Sequence, residues 1–191
     1  MAYLPGVTRI MFLLAALAAS APLHAQSDLE EGFAGALRGC ETWVLDPASW
    51  SQGPGPFVAA VHLGDKMGLV DRVDEVTLPP RELRQANHYW RINATEQSGY
   101  VLVVSDRLPM CHITGGGAED LQPAVEAVIA SADFQKRWEA DGEARNGEMV
   151  SSRYHNLDDP ALSIIISRAR SPGQRLDRVQ LVATAIYEPK R

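Results

Sequence analysis

Tyr100-Val101-Leu102-Val103-Val104-Ser105-Asp106-Arg107-Leu108-Pro109-Met110-Cys111-His112-Ile113-Thr114 is the stretch whose reading decides the fold. Residues 100–104 form a short continuous apolar run of the kind that suits a buried strand. The polar turn 105–109 is too short to hold a helical crossover, so the strand expected over 110–114 returns antiparallel to the first. Upstream, residues 88–95 alternate in part and are rich in aromatic and branched side chains, and Gln97-Ser98-Gly99 turns them into Tyr100. These three segments read as an antiparallel meander.

Further strands are expected on either side. Residues 57–63 and 69–76 precede the meander, separated by the turn 64–68. Residues 148–154, 162–167 and 178–187 follow, with turns at 156–160 and at Ser171-Pro172-Gly173. Between the two groups, Gly115-Gly116-Gly117 is expected to break the sheet. A helix then follows from Leu121, Val125, Val128, Ile129 and Ala132, which share one apolar stripe. Asp120 suits its cap, and Pro123 its first turn, where no backbone donor is needed. Phe134 and Trp138 predict a second short helix, and 141–147 a loop. Near the start, Leu29, Phe33, Ala36 and Leu37 predict a short helix over 29–37, capped by Ser27 or Asp28. The Pro/Gly-rich stretch 47–56 reads as a loop. The expected fold is α+β: an antiparallel sheet of about six to eight strands, with a short N-terminal helix and a central helix pair packed on it. A parallel doubly wound sheet would need helices between successive strands, and the links are too short.

Residues 1–25 read as a leader. Arg9 precedes the apolar run 10–19, a weaker segment ends in Leu23-His24-Ala25, and polar Gln26-Ser27-Asp28 follows. That order is a secretory signal peptide, with cleavage expected after Ala25. Ten residues span only about 15 Å as a helix, against roughly 30 Å of hydrocarbon core. Leu37-Arg38-Gly39-Cys40 is a poor lipobox, so a lipoprotein is not expected, and no other apolar run is long enough to span a membrane. The expected product is one soluble domain over 26–191 in the periplasm or outside the cell. In general character the chain resembles small exported proteins of Gram-negative bacteria, a likeness of leader and composition that implies no site residues.

Export changes the reading of the two cysteines. Disulfides persist in oxidising compartments, so Cys40 and Cys111 are expected to pair. Charge restricts the partners. The formal net charge is −6, and it becomes −7 without the leader, which holds Arg9 and no acid. With no Lys/Arg run, the chain lacks a footprint for nucleic acid.

Chemistry-bearing motifs are sparse. Cys111 beside His112 suggests a thiolate and its base, but neighbours on a strand point to opposite faces. His62, His88, His112 and His155 are far apart in sequence, without the short spacings of zinc sites, so neither a metal nor a cofactor is expected. Asp71, Asp74 and Glu75, like Asp158 and Asp159, lack the EF-hand spacing and read as solvated turns. No GxSxG elbow is present. Asn93-Ala94-Thr95 matches a glycosylation sequon but sits inside an expected strand. Trp43, Trp50, Trp90 and Trp138 read as core. What remains is Gly115, Gly116 and Gly117, whose amides before a helix start suit an anion, with His112 and Thr114 adding side-chain contacts. The functional expectation is a non-catalytic exported domain that binds a protein, an envelope component or a small ligand. The alternatives are a hydrolase with a site assembled around His112, and a small protein inhibitor.

Overall fold

The computed structural model describes residues 21–46, 53–174 and 178–188, with residues 21–23 described by their backbone only. Its strands are β1 (Met67–Val70), β2 (Asn87–Asn93), β3 (Ser98–Ser105), β4 (Met110–Gly117), β5 (Trp138–Asn146), β6 (Met149–Asn156), β7 (Leu162–Ala169) and β8 (Leu181–Tyr187). They form one eight-stranded antiparallel sheet in the order β1-β2-β3-β4-β8-β7-β6-β5. Each half of the chain thus folds into a four-stranded meander, and β4 joins β8 at the centre. The helices are α1 (Ala21–Leu45), α2 (Pro54–Val61), α3 (Gln122–Ala130) and α4 (Ala132–Gln135). The expected α+β fold with a central helix pair is the observed one.

Several element boundaries differ from expectation. The N-terminal helix is not short: α1 runs for 25 residues. Its apolar stripe continues past Gly39 through Cys40, Trp43 and Val44, all buried. Gly39 is therefore a contact point rather than a stop. Residues 57–63 are not a strand. Pro54 and Pro56 occupy the first turn of α2, Phe57 and Val61 bury one face at i, i+4, and His62 ends the helix with φ 59°. Residues 54–56 of the expected loop therefore belong to that helix. The strand expected over 69–76 shrinks to β1, after which the chain makes single 3-10 turns at Glu75–Thr77 and Arg81–Leu83.

Residues 141–147 are mostly strand. β5 is the exposed edge of the sheet, so its side chains show no inside/outside alternation, and its register shifts between Ala140 and Gly142. Trp138 opens this strand rather than extending a helix. The run 10–19 of the expected leader, and residues 47–52 with Trp50, lie outside the described residues. The cleavage point expected after Ala25 falls within the first turns of α1. Among the described residues, no helix is long and apolar enough to cross a membrane.

α1 packs against β3, β4, α2 and α3 on one face of the sheet. Phe33 stacks on Tyr100 with ring centroids 5.8 Å apart, and the Tyr100 hydroxyl donates to the Leu29 carbonyl at 2.9 Å. Trp43 donates from its indole to the Ser105 carbonyl at 2.9 Å. Burying a side chain such as Phe33 or Leu102 stabilises the fold by about 1.5–3 kcal/mol. Cys40 on α1 and Cys111 on β4 form a disulfide, with Cα atoms 5.4 Å apart.

Candidate functional site

Strand alternation sorts the side chains of β3 and β4 between two faces. Tyr100, Leu102, Val104, Cys111, Ile113 and Gly115 face the helices. Val101, Val103, His112, Thr114 and Gly116 face the other way. Among the described residues no α-helix covers this second face, yet Val103, His112 and Thr114 are only 0%, 4% and 2% exposed. The cover is the irregular chain between β1 and β2. Arg84 acts electrostatically on His112, Thr77 borders the same cavity as Thr114, and Asp74 bonds to Arg178 at 3.3 Å. That segment is braced internally by Arg84, which donates to the Pro79 carbonyl and the Glu75 carboxylate at 2.7 and 2.6 Å.

Under its edge lies a cavity of about 270 Å³, lined among others by Thr77, Arg91, Asn93, Val101, Thr114 and Arg178. Its floor is unusual because Gly99 and Gly116 are cross-strand partners, so the sheet there carries no side chains. Thr114 lies between Val101 and Val182 in the neighbouring strands, neither of which can bond its hydroxyl. The Thr114 Oγ1 is buried and has no hydrogen-bond partner among the described residues. Leaving such a group unpaired costs about 1–3 kcal/mol. Arg91 has Gly68 and Val101 as its neighbours across the strands, so no in-sheet acid neutralises it.

The glycine run is placed differently from the expectation. Gly115, Gly116 and Gly117 continue β4 and pair with Tyr100, Gly99 and Ser98. Their backbone is engaged in the ladder, and α3 starts only at Gln122, so they form no amide cradle at a helix N-terminus. Packing explains Gly115: a Cβ there would meet Leu121 and the Tyr100 ring at 2.7 Å. Asp120 accepts from the Gln122 amide at 3.1 Å, but it is not the expected cap: Leu121 holds the N-cap position and no side chain caps α3.

Of the residues expected at a site, Thr114, Gly115 and Gly116 line the cavity, whereas His112 and Gly117 are not part of its lining. His112 bonds Thr184 at 2.8 Å, and burial, reinforced by Arg84, lowers its pKa to about 4. It is neutral at ordinary pH. His88 pairs with Val104 in the ladder and so faces the helices, opposite to His112, where it bonds Asp106 at 2.7 Å. His155 lies three strands from His112 and bonds Glu139 at 3.1 Å, and His62 caps α2. The histidines do not converge. Both cysteines are bonded to each other, which removes a thiolate. Among the described residues no group of three or more His, Cys, Asp or Glu is placed to hold a metal ion. Trp43, Trp90 and Trp138 are core residues.

A larger groove of about 670 Å³ runs between α1 and the α3–α4 pair. Several of its charges are engaged within the fold, whereas Lys136 forms no ion pair among the described residues. Arg137 bonds Glu41, and Arg38 donates twice to the Val61 carbonyl. Burial raises the Glu41 pKa against the pull of Arg137. The smaller cavity is the one that joins two guanidinium groups to a buried hydroxyl without a partner among the described residues. Sequence reasoning missed Arg91 and Arg178, because the signal that joins them to Thr114 is strand register rather than a motif. No protein-family model matches the chain, and no curated protein or solved structure does either.

Proposed function

We propose that the chain is an exported, non-catalytic binding domain whose ligand is a small molecule seated on the second face of the sheet. The observation that carries this reading is the cavity over Gly99 and Gly116, whose lining includes Thr114, with its hydroxyl buried and without a partner among the described residues. A buried hydroxyl without a partner calls for an explanation, and a ligand seated in the adjoining cavity would supply one. Export rests on the leader-like residues 1–25 and agrees with the Cys40–Cys111 disulfide, which suits the periplasm or the extracellular space. In this reading residues 26–191 act as a single domain after the leader is removed.

A hydrolase built on His112 draws less support, since His112 is neutral, bonded to Thr184 and on the opposite face from His88. Among the described residues nothing on the surface singles out an inhibitor interface. The test is native mass spectrometry of the protein released from the extracytoplasmic fraction. The expected result is a small-molecule adduct, one per chain, that is depleted in Thr114→Val. Bare protein in every preparation, or an adduct equally retained by the variant, would count against the reading.

A further inference from the structure

Resting on that reading, we infer that the ligand is a small oxyanion, a carboxylate or a phosphate on a compact frame, held between Arg91 and Arg178 with Thr114 donating from below. The chain as a whole is acidic, with a formal net charge of −6. The cavity has the opposite character: its lining carries two guanidinium groups, Arg91 and Arg178, against one carboxylate, Glu96. Arg91 stands between Gly68 and Val101 and forms no ion pair among the described residues. Among the described residues Arg178 is engaged only by Asp74, at 3.3 Å on the surface, where both side chains are more than half exposed. Such a pair is weak and leaves the guanidinium able to reorient towards an incoming anion.

Guanidinium groups suit planar or tetrahedral oxyanions because their N–H donors match oxygen pairs. A threonine hydroxyl beside the guanidinium groups adds a further donor. The floor restricts the frame. With Gly99 and Gly116 bare of side chains, the ligand lies flat against backbone whose amides are committed to the ladder, so recognition falls to the three side chains. The volume of about 270 Å³ is at the small end for ligand pockets, which favours a metabolite over a polymer. Asn93 at the rim adds an amide that can read a second polar group on that frame.

The test is calorimetric titration of the oxidised protein with inorganic phosphate, with succinate and with uncharged glucose. The expected result is one-site binding of at least one anion and none of glucose. Arg91→Gln and Arg178→Gln should each weaken binding at least tenfold, and Thr114→Val at least threefold, with thermal unfolding of the arginine variants unchanged. Binding of phosphate alone assigns a phosphorylated ligand, and binding of succinate alone a carboxylate. Glucose binding that is lost in Thr114→Val but untouched by Arg91→Gln would overturn the anion while leaving the cavity as the binding site. Anion binding that survives both arginine substitutions, or no binding of either anion, overturns the inference. In the last case, a native adduct that is depleted in Thr114→Val would still uphold the broader reading.

Discussion

Gly99 on β3 and Gly116 on β4 face each other across the ladder, and this pairing opens a bare patch in the second face of the sheet beside the Thr114 hydroxyl. Thr114 is 2% exposed and its oxygen finds no partner among the described residues. A fold selected for stability alone would place valine there, as it does at the flanking positions Val101 and Val182.

Thr114→Val should therefore stabilise the ligand-free protein, by about 1 kcal/mol, because it removes an unsatisfied buried hydroxyl while keeping the side chain's shape. Chemical denaturation of the two proteins measures this. A loss of stability of similar size would mean that the hydroxyl has a partner within the fold, and would remove the argument that it awaits a ligand. Stability gained together with affinity lost is the signature of a residue retained for binding.

The Cys40–Cys111 bridge spans 71 residues and ties α1 to β4, the strand that carries Thr114. Replacing both cysteines with serine should lower stability by about 4 kcal/mol in the chain-entropy account. The exported, unreduced protein should have the mass of a chain beginning at Gln26, with no reactive thiol after denaturation. An unchanged denaturation midpoint in the double variant, or two titratable thiols in the exported protein, would contradict the structural role given to the bridge.

Gly115→Ala tests why the glycine run exists. Its Cβ would lie 2.7 Å from the Tyr100 ring, which is stacked on Phe33 and tied through its hydroxyl to Leu29, so it has nowhere to go. The expected cost is about 1–3 kcal/mol of overpacking. Gly68→Ala is the control, since nothing lies within 4 Å of a Cβ there, and its effect should fall within about 0.5 kcal/mol. Equal behaviour of the two variants would show that Gly115 is not a packing constraint.

His112 should impose a pH dependence on stability. Burial, with Arg84 nearby, lowers its pKa to about 4 in the folded protein, against about 6.5 in the unfolded chain. Between these values the unfolded chain binds the extra proton, so stability rises with pH. The contribution is complete above about pH 6.5 and is lost as the pH falls towards 4, by up to about 3 kcal/mol. Unfolding measured from pH 4 to 8 should show this slope in the native protein and a shallower one in His112→Gln. Identical slopes would mean that His112 titrates normally.

Much of this architecture is legible in the residues themselves. The meander β2–β4 follows from short turns between apolar runs, and α3 from its single stripe. The failures have physical causes. β5 is an edge strand with nearly every side chain in solvent, so it has no alternation to read. α2 is an eight-residue helix whose prolines look like loop, although they suit a first turn. Gly39 resembles a helix end until the close approach of Leu102 and Val61 is known. At the candidate site, Thr114, Gly115 and Gly116 were visible as a cluster in the sequence, but their grouping with Arg91 and Arg178 depends on register and on the chain between β1 and β2 that covers the second face. The disulfide was legible because a leader-like N-terminus and a count of two cysteines leave one pairing.

The most direct test of the central claim is a map of backbone amide shifts as inorganic phosphate and succinate are titrated into the isotope-labelled, oxidised protein. Saturable shifts are expected at Arg91, Gly99, Val101, Thr114 and Gly116, with little change along α1 and α4. Shifts confined to the groove between α1 and α4 around Arg38 and Arg137, or none at all at the β3–β4 glycine pair, would contradict it.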